Sequence, residues 1–163
     1  MSEKIKEPTL ETSRNGRYDA YIVEVGLPKR FSDEIGEALV AESGKMNTEL
    51  GENHLYLKLT EDETFSMLDG LDLDPFKPEL PIILVLDRHP SEVKSGDEEV
   101  MIKLGALERD KDVKIVLEGI RTLLEKDGFM AGSTSSQIKD KLNEEFEDIE
   151  GIVVTLISKA LME

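Results

Sequence analysis

Apolar residues fall in short blocks, and their spacing changes along the chain. Tyr18 to Val25 is β-branched and aromatic, which predicts a strand that ends at Gly26-Leu27-Pro28. Ser32 is a good helix N-cap, and Asp33 and Glu34 suit the positive end of the helix dipole. Ile35, Leu39, Met46 and Leu50 follow on one helical face, with Gly51 as the stop. His54 to Leu59 predicts a second strand. Thr60 or Asp62 then caps a short helix carrying Phe65, Met67, Leu68 and Leu71. Asp72 to Pro81 holds Pro75, Pro78 and Pro81, which predicts an extended loop. Ile82 to Leu86 is apolar at every position, as expected of a central strand buried on both faces.

The second half follows the same logic. Pro90, Ser95, Gly96 and Asp97 mark a turn, and Val100 to Leu104 is the returning arm of a hairpin. Val113, Val116, Leu117, Ile120, Leu123 and Leu124 draw a helical stripe from Asp110 to Lys126, closed by Asp127-Gly128. Gly132 to Ser136 is a linker whose serine caps a further helix, with Ile138, Leu142, Phe146 and Ile149 along one face. The last block, Gly151 to Ile157, has the composition of a strand. Ile149, Ile152, Val153, Leu156, Ile157, Ala160 and Leu161 also match the helical template, and the length of the match favours a helix. The polar residues 1–17 predict a flexible arm.

Composition narrows the function. The chain has 163 residues and no cysteine, which removes disulfides, thiolate nucleophiles and iron–sulfur ligation. Its 36 acidic against 20 basic residues give a formal charge of −16, a field opposed to nucleic acid and to anionic membranes. No apolar run approaches the ~20 residues of a membrane span, and Met1 to Pro8 has no apolar signal core, so a cytoplasmic location is expected.

Local chemistry is sparse. His54 and His89 are the only histidines; neither has a nucleophile at motif spacing, and Asp87-Arg88-His89 reads as a charged surface turn. Asp69, Asp72, Asp74 and Glu79 resemble a calcium loop only superficially, because Gly70 is misplaced and prolines interrupt the turn. No cofactor or metal is expected.

The order strand, helix, strand, helix, hairpin, helix over residues 18 to 126 resembles the thioredoxin superfamily. Pro81 before Ile82-Ile83-Leu84-Val85-Leu86 sits where that family has its cis proline. Lys103-Leu104-Gly105-Ala106-Leu107 is similar to its strand–Gly–helix passage. The family's Cys-x-x-Cys loop is replaced by Gly26-Leu27-Pro28-Lys29-Arg30-Phe31-Ser32-Asp33-Glu34. The resemblance implies an α/β fold, a thioredoxin-like three-layer α/β/α sandwich with a central mixed sheet. A flexible arm (1–17) precedes the domain (18–127), and a helical C-terminal extension (128–163) packs on it. It implies a binding or scaffold protein rather than an oxidoreductase, as in cysteine-free members that act by binding. A cis Leu80–Pro81 bond would turn the Leu80 backbone outward to pair with an extended peptide. Leu27, Pro28 and Phe31 would form the facing apolar lip. The expected partner is a protein or peptide, with a homodimer through the final helix as the structural alternative. A carboxylate- or metal-dependent enzyme has only the acidic content in its favour.

Overall fold

A computed structural model describes residues 18–26, 34–49, 54–70, 81–92, 98–104, 107, 109–126 and 134–158. Five strands, β1 (Ala20–Val25), β2 (His54–Lys58), β3 (Ile82–Leu86), β4 (Glu98–Lys103) and β5 (Val153–Ser158), form one mixed sheet in the order β2-β1-β3-β4-β5. β1 and β2 are parallel, and every other neighbouring pair is antiparallel. The helices are α1 (Glu34–Glu49), α2 (Glu61–Gly70), α3 (Asp110–Leu124) and α4 (Ser135–Glu145). The β1–α1–β2 unit is the crossover that parallel neighbours require. The first four strands and α1 to α3 give a mixed-sheet α/β arrangement consistent with thioredoxin-like topology.

Strand alternation divides the core into two layers. On one face Ala20, Ile22, Tyr56, Ile83, Val85, Val100, Ile102 and Val154 meet Leu39 and Met46 of α1 and the Val113 to Leu124 stripe of α3. Ile138 and Leu142 of α4 join the same layer. On the other face Tyr21, Val23, Val25, Leu55, Leu57, Ile82, Leu84, Leu86 and Met101 cluster, with Met67 of α2 packed against them. Every side chain of β1 and β3 is therefore buried, which explains their nearly unbroken apolar runs.

Local chemistry sets several boundaries. Thr60 Oγ1 accepts from the Glu63 amide at 3.2 Å, and Glu63 Oε1 accepts from the Thr60 amide at 2.9 Å, a reciprocal cap that opens α2. Thr134, one residue before the serines, forms the same box with Gln137 at the start of α4. Asp112, fully buried in the first turn of α3, accepts two hydrogen bonds from Arg109 at 3.0 and 3.1 Å. Gly119 of α3 lies against the Phe146 ring. A Cβ there would stand 2.6 Å from Phe146 Cε1, so the close approach of α3 to the end of α4 needs a residue without one.

The final block corrects the sequence-based expectation. Residues 153–158 form a strand, not a continuation of a helix from Ile149 to Leu161. Gly151 adopts a left-handed φ of 86°, which breaks the helical path, and the β-branched Val153, Val154 and Thr155 then pair with β4 over six positions. His89 also departs from expectation. It is not on a surface turn but buried, edge-on to Tyr21 with ring centroids 5.6 Å apart. Among the described residues no helix is long and apolar enough to cross a membrane.

Candidate functional site

The sheet end at which β1 stops and β3 begins gathers several chain segments. Val25 pairs with Ile82, so Gly26 and Pro81 each stand one residue beyond the last pair of the β1–β3 ladder. Pro81 suits the start of a strand because it has no N–H to leave unpaired. It is buried, and its carbonyl accepts from the Leu104 amide at 2.9 Å, carrying the β3–β4 ladder one step past Ile82 and Lys103. The Gly26 carbonyl accepts from the buried Thr64 hydroxyl of α2 at 3.3 Å, and the Leu59 amide donates to the Glu24 carbonyl at 3.3 Å. Hydrogen bonds thus tie Gly26 to α2, the end of β2 to β1, and Pro81 to Leu104.

A buried polar cluster lies one residue inside this end. Glu24 follows the alternation that turns Ala20 and Ile22 toward α1, so its carboxyl sits in the core beside Tyr56. The Tyr56 hydroxyl donates to Glu24 Oε1 at 2.6 Å, and Lys58 Nζ stands 4.0 Å from Oε2. Burial pushes the Glu24 carboxyl above its ordinary range. The Tyr56 hydrogen bond, the Lys58 charge and the Ser43 hydroxyl oppose that shift without cancelling it. Tyr56 is held well above the usual phenol range by its own burial and then by the neighbouring Glu24 charge and hydrogen bond. The pair is a buried acid–phenol contact, flanked by the half-exposed Lys58 side chain.

Of the residues expected to form the groove, Pro81 is placed as described, and Leu27, Pro28, Phe31 and Leu80 lie outside the described residues. The Leu80–Pro81 bond lies outside them too, as do Asp72, Asp74 and Glu79. Asp69 is exposed on α2. Among the described residues no three His, Asp or Glu side chains are grouped to hold a metal ion. The Glu24–Tyr56–Lys58 cluster is not among the sequence-based expectations; the one local signal is the acid inside the apolar run Tyr-Ile-Val-Glu-Val, which marks a carboxyl in a buried strand without naming its partners. The absence of cysteine rules out thiol–disulfide exchange at this end of the sheet. Comparison with protein-family models, with curated protein sequences and with solved structures finds no match for this chain.

Proposed function

We propose that the protein is a redox-inactive, thioredoxin-like binding or scaffold protein that engages an extended protein or peptide segment at the Gly26–Pro81 end of its sheet. The observation that supports this reading is the Val25–Ile82 pairing, which brings the last residue of β1 opposite the first residue of β3. An extended segment laid there would be held by main-chain hydrogen bonds and read through its alternate side chains. In this reading Leu80 supplies the backbone contacts, and Leu27, Pro28 and Phe31 supply the apolar lip. Membership of the thioredoxin superfamily and a cytoplasmic location belong to the same proposal. Cell fractionation tests the location.

Replacing Pro81 with Ala tests the binding role. The expected result is loss of partner capture with a much smaller change in thermal stability. Unchanged capture by a folded Pro81→Ala protein would refute it.

A further inference from the structure

We infer that Glu24, Ser43 and Lys58 form a proton-operated switch inside the β1–α1–β2 unit, in which one proton at Glu24 sets the direction of the Ser43 hydroxyl and the position of the Lys58 ammonium. The inference does not rest on the binding role proposed for the Gly26–Pro81 end.

Glu24 and Ser43 are both buried, and they come from different elements. Glu24 is the register partner of Lys58 on β2 and of Ile83 on β3. β2 therefore turns Tyr56 and Lys58 toward its carboxyl, and α1 turns Ser43 toward it. The rest of the layer is uncharged: Ile83 and Val85 of β3, Leu39 and Met46 of α1, and the Val113 to Leu124 stripe of α3. Glu42 and Lys45, the charges that flank Ser43 on α1, pair with each other at 3.9 Å. His54 stands at the far end of β2, opposite Ala20.

Hydrogen counting gives the two states. A serine hydroxyl has one hydrogen to donate and lone pairs with which to accept. Ser43 has two takers for that hydrogen, the Val40 carbonyl at 3.3 Å and the Glu24 carboxyl. Tyr56 already donates to Oε1, so the proton of the neutral acid belongs on Oε2. In that state Oε2–H donates to Ser43 Oγ, and Ser43 donates onward to Val40. When the proton leaves, the carboxylate can only accept. Ser43 then turns its hydrogen from Val40 to Glu24, and Lys58 closes on Oε2. The geometry is that of the neutral state. Ser43 donates to Val40, and Lys58 Nζ stands 4.0 Å from Oε2, well beyond the ~2.7–2.9 Å of a charge-assisted hydrogen bond. The same proton thus links the core of β1 to the main chain of α1 and to the exposed end of β2.

Side-chain NMR of the full chain as a function of pH tests this. The Glu24 carboxyl carbon, the Ser43 Cβ and the Lys58 Cε should shift together with one shared midpoint, above that of an exposed glutamate. Glu24→Gln keeps an uncharged side chain at every pH, so the Ser43 and Lys58 signals should stay flat across the same range. If that variant fails to fold, Lys58→Met decides: losing the cation that favours the carboxylate should raise the Glu24 midpoint, with Ser43 still following it. Ser43 and Lys58 signals that ignore the Glu24 titration would overturn the inference. So would shifts that persist in Glu24→Gln, or a Glu24 midpoint that Lys58→Met leaves in place.

Discussion

The Tyr56 hydroxyl donates to the Glu24 carboxylate at 2.6 Å inside the core, across the parallel pair β1 and β2. Because burial raises the Glu24 pKa above its unfolded value near 4.5, the folded state holds the proton more tightly than the unfolded state. The stability contributed by protonated Glu24 is therefore fully present below the unfolded pKa. It is lost as pH rises through the folded value, the reverse of a salt-bridged carboxylate. Glu24→Gln should remove this slope. Denaturation midpoints of both proteins, from about pH 4 to about pH 7, should show wild type losing stability relative to the variant as pH rises. A difference between the two that stays flat or grows in favour of wild type would contradict the assignment.

Tyr56→Phe removes the strongest donor to Glu24 and leaves a buried carboxyl oxygen short of a partner. The expected cost at neutral pH is about 1–3 kcal/mol. In a double-mutant cycle with Glu24→Gln the two losses should not add, because the second substitution acts on an interaction already weakened. Additive losses in urea unfolding would show that the hydrogen bond carries no coupling energy.

Two helical glycines should respond with opposite signs. An added Cβ at Gly44 of α1 meets nothing within 4 Å, so Gly44→Ala should stabilise by about 0.5–1 kcal/mol through helix propensity. At Gly119 the same change drives a methyl into Phe146 at 2.6 Å. The propensity gain is then outweighed, and a net loss of about 1–2 kcal/mol is expected from overpacking. Thermal melts of the two single variants check both signs, and Phe146→Leu should partly rescue Gly119→Ala by making room.

The cap of α2 is worth testing because that helix also holds the Gly26 carbonyl through Thr64. Thr60→Ala removes one half of the reciprocal bond with Glu63 and should cost about 1 kcal/mol. Faster amide exchange in the first turn of α2 should accompany the loss. An unchanged melt would mean that the cap is redundant.

The elements legible in the sequence were those with a single consistent period. Ile82 to Leu86 could only be a strand buried on both sides, and the α3 stripe from Val113 to Leu124 points one way throughout. The Ile138, Leu142, Phe146 and Ile149 spacing also held, with all four side chains buried although the helix ends at Glu145. β5 was misread because Ile152, Val153, Val154, Leu156 and Ile157 are so nearly continuous that they satisfy either period. The deciding facts are the left-handed turn at Gly151 and the free edge of β4, and only the latter depends on the tertiary fold. The Glu24 cluster depends on register. Nothing local to Glu24 reveals that Tyr56 and Lys58, more than thirty residues away, become its neighbours across a parallel pair. The burial of His89 is hidden for a similar reason, since the Tyr21 ring that packs edge-on against it comes from β1, far away in the sequence.

The binding role of the Gly26–Pro81 end is tested most directly by amide shift mapping with peptides selected for binding from a random library. Saturable shifts should concentrate at Val25, Gly26, Ile82 and Leu104, and Pro81→Ala should weaken the same peptides by about tenfold or more, roughly 1.4 kcal/mol. Shifts centred on α3, α4 or the β5 edge, or peptide affinity indifferent to Pro81, would contradict it.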